Sequence, residues 1–129
     1  MTLARARLLV VLIGLVLPYA VRLPFGLDWL AQYTHVGLPG WLLLGGCNAI
    51  AWGAILLVSL AYRHAASLLV PALCGFAFLA WAHAGLDLQA DAQSPIALVF
   101  IPIYALAPIL LGGVVGYVVD RVLRQRPGA

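Results

Sequence analysis

Four long apolar segments constrain the fold of this chain more than any other feature of its sequence. They lie near Leu8 to Phe25, Trp41 to Tyr62, Ala65 to Leu86 and Pro95 to Val119. A hydrocarbon core about 30 Å thick needs roughly 20 helical residues to cross it, and each segment is long enough. We therefore predict an all-α membrane protein, a four-span antiparallel transmembrane helix bundle that forms a single integral membrane domain over residues 1–129.

The charged residues are too few for a soluble domain. They make up 9% of the chain, against 65% hydrophobic residues, whereas an ordinary globular domain has about 25% charged residues. The net charge of +3 comes from seven Arg and four Asp residues, which is too sparse for a nucleic-acid surface. Contact with the lipid bilayer is predicted, and contact with nucleic acid is not.

The distribution of arginines predicts the orientation of the spans. With the N-terminus inside, six of the seven lie on the cytoplasmic side and only Arg22 lies near the outer edge, where its side chain is expected to extend to the headgroups. Both termini are then cytoplasmic, as in a multi-pass protein of the cell inner membrane. The six inner residues are Arg5, Arg7, Arg63, Arg121, Arg124 and Arg126.

Short motifs between the spans predict further local structure. The segment LDWLAQYTH places Asp28, Gln32 and His35 on one helical face, which is typical of a short amphipathic helix on the outer surface. Ser94 followed by Pro95 predicts the cap and first turn of the fourth span.

Small and polar residues within the spans predict where the helices pack. Gly45, Ala49 and Gly53 form one stripe, and Gly112 and Gly116 form another. Each stripe permits a close approach of two helices, and packing within the chain is favoured over a homodimer face. For the amide of Asn48, an interhelical hydrogen bond is expected rather than contact with a ligand. Whether Pro102 and Pro108 make the fourth span a hinge is left open.

One His and carboxylate pair stands at helical spacing. His83 and Asp87 lie near the end of the third span, and we interpret them as marking the membrane boundary, with a local hydrogen bond between them allowed. The alternative is a metal site, for which two ligands are too few. Further ligands would have to come from the other polar residues predicted on the outer face, so that the candidate cluster is Asp28, His35, His83, Asp87 and Asp91.

No catalytic or cofactor motif is present, so an enzyme is not expected, and neither a cofactor nor a bound metal is predicted. The leading hypothesis is a non-catalytic protein that acts through helix–helix interaction with another membrane component, as an accessory subunit or an immunity-like protein. A small transporter or channel subunit is the alternative, although no ionisable residue is evident deep within a span. A metal-handling protein of the outer face comes third. A homo-oligomer is possible, and the sequence identifies neither a partner nor a substrate.

Overall fold

The computed structural model describes residues 1–128, and every regular element in that part of the chain is helical. Four helices are long and apolar enough to cross a membrane, so the chain is a multi-pass membrane protein. A fifth, shorter helix follows the first span. The helices are α1 (Leu3–Ala20), α2 (Leu27–Thr34), α3 (Gly37–Ser59), α4 (Ala65–Gly85) and α5 (Ala97–Gln125).

Helix α5 is central to the bundle because it packs against both α4 and α3, while α1 covers the other side of α3 and α4. The core between these helices contains fully buried aliphatic residues such as Ile55, Leu79 and Ile109. Large apolar side chains also cover the outside of the helices, among them Leu73 and Leu111. An apolar exterior of this kind is compatible with contact between the helices and lipid.

Several helix ends differ from the predicted spans. Helix α3 begins at Gly37 rather than Trp41 and includes Pro39. A proline is tolerated in the first turn, because a backbone N–H there would have no partner within the helix. The prediction that Ser94 caps the fourth span is wrong. Residues Ser94–Ile96 form a separate 3-10 turn before α5, and the Ser94 hydroxyl accepts the N–H of Asp91 at 3.3 Å.

Pro18 of α1 and Asn48 of α3 together account for a hydrogen bond between these two helices. Pro18 lies inside α1 and has no N–H to donate to the carbonyl of Gly14, four residues earlier. The side-chain amide of Asn48 donates to that carbonyl at 2.8 Å. The Gly14 carbonyl thus has a hydrogen-bond donor inside the bundle. The donor is Asn48, for which the sequence predicts an interhelical bond.

Glycines bring α5 close to α4. A Cβ atom added at Gly112 would lie 2.9 Å from the Cα of Pro71, and one at Gly116 would lie 2.7 Å from the carbonyl oxygen of Ser67. These separations are shorter than ordinary van der Waals contact, so no larger residue fits without a shift of the α4 backbone. The contact between α4 and α5 therefore depends on both glycines.

Candidate functional site

Arg22 is fully buried against the C-terminal end of α4. Its Nη1 donates to the carbonyls of His83 at 2.8 Å and Leu86 at 2.6 Å, and its Nε donates to the carbonyl of Trp29 at 2.9 Å. The last carbonyls of a helix have no partner within it, and a cation there is stabilised by the helix dipole. The prediction that Arg22 extends to the headgroups is wrong, because its donors are used inside the protein.

Two aromatic rings enclose the Arg22 guanidinium. Its central carbon lies 4.5 Å from the centroid of the Trp29 ring and 4.0 Å from that of Tyr33, distances at which a cation is attracted to an aromatic face. The Trp29 indole also donates to the carbonyl of Ala84 at 2.7 Å. Gly26, at a φ of 111°, turns the chain into α2 and so brings both rings over Arg22.

His83 lies beneath Tyr33 and is only 1% exposed. The Tyr33 hydroxyl is 2.8 Å from Nδ1 of His83. Burial raises the pKa of Tyr33, so the phenol keeps its proton, and either the hydroxyl or the ring nitrogen can be the donor of this hydrogen bond. The other ring nitrogen of His83, Nε2, has no hydrogen-bond partner among residues 1–128.

Gln32 connects Arg22 to Asp87. Its side-chain oxygen accepts from Nη2 of Arg22, and its amide nitrogen donates to Oδ1 of Asp87, both at 3.0 Å. No hydrogen bond joins His83 to Asp87 directly. Helix α4 ends at Gly85, so Asp87 lies beyond the helix and the four-residue spacing no longer brings the pair together. We call the resulting set the Arg22 cluster: Arg22, Trp29, Gln32, Tyr33, His83 and Asp87.

The other residues of the predicted polar cluster lie apart from His83. Asp28 and His35 line an open pocket of about 600 Å³ beside α2, and the carboxylate of Asp91 accepts the N–H of Gln93 at 2.7 Å within its own turn. In the described chain, residues 1 to 128, no three His, Cys, Asp or Glu side chains are grouped as a metal ion requires.

Asp120 occupies the equivalent position at the other end of α4, and its side chain is 0% exposed. Its Oδ1 accepts the backbone N–H groups of Arg63 at 3.0 Å and His64 at 2.9 Å, and the Ser67 hydroxyl at 2.9 Å. Its Oδ2 accepts from Nε of Arg124 at 2.6 Å. We call these residues the Asp120 cluster; the carboxylate caps the N-terminal end of α4 and also has a direct counter-ion.

The small-residue stripe of α3 faces away from the rest of the chain. Gly45, Ala49 and Gly53 are half-buried, and a Cβ added at either glycine would meet no atom within 4 Å. Large exposed apolar residues stand beside the stripe, with Ile50 45% and Leu57 68% exposed. The three small residues, here called the α3 face, therefore form an apolar surface against which no described helix packs closely.

Comparison with known proteins gives no match to a family model, to a curated protein or to a solved structure. The argument for function therefore depends on the geometry of the chain itself. Sequence reasoning missed the parts that Trp29, Gln32 and Tyr33 play around Arg22. All three residues lie within one short helix that follows Arg22. Their spacing was a usable signal, because side chains on one face of a helix can together surround a nearby cation.

Proposed function

We propose that this chain is a non-catalytic protein of the cell inner membrane, with both termini cytoplasmic, that binds another membrane-spanning protein through the α3 face. The observation that carries the proposal is the open space at Gly45 and Gly53, where an added Cβ would meet no described atom within 4 Å. An accessory subunit or an immunity-like protector would act in this way, by association alone.

The physics of helix association in lipid supports this assignment. Lipid tails are as apolar as leucine, so two helices associate through close packing, which small residues at four-residue spacing permit. On α5, Gly112 and Gly116 have this spacing and are used against α4. On α3 the same spacing recurs at Gly45, Ala49 and Gly53, and a Cβ added at either glycine would meet no described atom within 4 Å, so this side of α3 is open to the helix of another protein.

The buried charges support a binding role rather than catalysis or transport. Arg22 and Asp120 are both at ends of α4, where they bond to backbone groups. Groups bound in this manner are held in place by the helix and stabilise its ends. We therefore assign them to the architecture of the bundle and assign the function to the α3 face.

Site-specific photo-crosslinking tests this proposal. A photoreactive amino acid at Ala49, in the intact membrane, is expected to give one crosslinked band that contains a second membrane protein. The same probe at Ala107, an exposed small residue of α5, is the matched control and is expected to give only lipid adducts. Gly53→Leu should abolish the band from Ala49, because the added side chain prevents a close approach to the α3 face.

Two results would contradict the proposal. One is a crosslink from Ala49 that contains only a second copy of this chain, since the α3 face would then be a homodimer surface. The other is a crosslink that Gly53→Leu leaves unchanged, since close packing at the α3 face would then play no part in the contact.

A further inference from the structure

Two cavities meet along the surface between α1 and α4. The first is an apolar groove of about 150 Å³, lined by residues that include Val10, Leu69 and Phe76. The second, of about 580 Å³, lies at the end of the groove where α1 and α4 begin, and Arg63 and Leu69 are among its lining residues. Leu69 lines both cavities, so the two form one continuous surface depression with an apolar and a polar part.

One arginine and no acidic side chain line the polar part. Arg63 is exposed, and its guanidinium makes no hydrogen bond or ion pair within residues 1–128. The first residues of two helices, Leu3 of α1 and Ala65 of α4, also line this cavity. The start of α1 presents N–H groups and the positive end of a helix dipole, which attract anions, whereas the start of α4 is already capped by the Asp120 carboxylate.

No acidic side chain lines either cavity. The carboxylate that contacts this part of the chain is Asp120, which accepts the backbone N–H of Arg63. Its charge is neutralised by Arg124, with Nη2 at 2.5 Å from Oδ2. Asp120 is fully buried and does not line the cavity, so the charged group that the cavity exposes is Arg63.

We propose that this depression binds one anionic phospholipid of the leaflet that contacts the start of α4. The phosphate lies beside Arg63 and the start of α1, and one acyl chain lies in the groove. From Leu69 to Phe76 the groove runs about 10 Å along α4, at 1.5 Å per helical residue. It therefore holds the first part of a chain and leaves the rest in the bilayer.

This proposal does not depend on the α3 face, which is a different surface of the bundle. It commits to a lipid because the polar cavity opens directly onto a groove lined by apolar side chains. A soluble phosphate would use the polar cavity and leave the groove unused. A zwitterionic lipid would use the groove but would gain less from the Arg63 charge.

Native mass spectrometry of the intact purified protein tests the proposal with equal amounts of phosphatidylglycerol and phosphatidylcholine. We expect the adduct with one phosphatidylglycerol to predominate. Arg63→Gln should lower that preference about fivefold, since one basic residue near an anionic lipid surface contributes about 1 kcal/mol. Arg126→Gln removes the same charge from an exposed position that lines neither cavity, and it should leave the preference unchanged.

A second pair of variants tests the acyl-chain part. Leu69→Trp fills the junction of the two cavities and should reduce adducts with both lipids, whereas Leu110→Trp, at an exposed position of α5, should not. The proposal fails if the wild-type protein shows no preference for phosphatidylglycerol. It also fails if either control variant has the same effect as the variant it is paired with.

Discussion

The two ends of α4 are capped by opposite charges from other parts of the chain. At its N-terminal end the carboxylate of Asp120, from α5, accepts backbone N–H groups; at its C-terminal end the guanidinium of Arg22, which follows α1, donates to backbone carbonyls. Each charge has the sign that the helix dipole favours at that position. The same helix thus fixes the positions of α1 and α5 through its unpaired backbone groups.

The ends differ in how each charge is balanced. Asp120 has a direct ion pair with Arg124, while Arg22 has only neutral oxygen atoms and aromatic rings around it and reaches Asp87 through Gln32. A buried charge is costly unless it is paired and hydrogen-bonded. The comparison shows that helix carbonyls and two π faces stabilise a buried cation where no carboxylate touches it.

The largest effect is expected from the loss of the Asp120 carboxylate. Asp120→Ala removes the acceptor of two backbone N–H groups and of the Ser67 hydroxyl, and donors left without a partner are costly, so the free energy of unfolding should fall by about 3 to 5 kcal/mol. Equilibrium unfolding in mixed detergent micelles measures this change. Asp91→Ala, at an exposed carboxylate, is the control and should change stability by less than about 0.5 kcal/mol. Equal losses of unfolding free energy in the two variants would show that the Asp120 cluster stabilises the fold no more than an exposed carboxylate does.

A smaller effect is expected at the other end of the helix. Arg22→Leu leaves the carbonyls of His83 and Leu86 without a donor, but it leaves no buried charge without a partner. The loss should be about 2 to 3 kcal/mol. Arg22→Lys should restore only part of it, because an ammonium lacks the planar fork of donors.

Asp87→Asn sharpens this second prediction. If Arg22 is balanced by carbonyls and rings, the amide at position 87 should leave unfolding in the same detergent nearly unchanged, since it still accepts the hydrogen bond from Gln32. A loss as large as that of Arg22→Leu would show instead that Asp87 is the essential counter-charge and that the two ends of α4 are alike.

A third, smaller effect distinguishes packing at the two ends. Gly116→Ala should destabilise the protein by about 1 to 2 kcal/mol, because its Cβ would press on the carbonyl of Ser67 near the start of α4. Gly85→Ala is the matched change at the end of α4, where an added Cβ meets nothing within 4 Å, and it should be neutral or slightly stabilising. Thermal unfolding of the two variants compares them, and a larger loss at Gly85 would reverse the packing assignment.

The sequence predicts the helical class and the number of apolar spans well, because lipid requires long runs of apolar residues that are easy to recognise. The site is harder to predict. Arg22 is near the end of an apolar run, and nothing local distinguishes an arginine that extends to the headgroups from one that folds back onto a helix end. The difference depends on where Trp29 and Tyr33 lie, and therefore on the turn at Gly26.

The His83 and Asp87 pair illustrates the same limit. Four-residue spacing places two side chains together only if the helix continues through both, and α4 ends between them at Gly85. Helix ends are the least predictable part of a sequence because they depend on contacts from other segments, here the donors of Arg22 and Trp29 to the carbonyls at the end of α4.

The account as a whole requires the two ends of α4 to lie on opposite sides of the membrane, with the Arg22 cluster outside. Labelling of single cysteines by a membrane-impermeant maleimide in intact cells measures this directly, with Cys47 and Cys74 replaced by serine. Cysteines at His35 and Ala90, which are exposed and near the Arg22 cluster, should be labelled. Cysteines at Ala61 and Pro127 should be labelled only after the cells are opened. Labelling of Ala61 or Pro127 in intact cells would contradict the account.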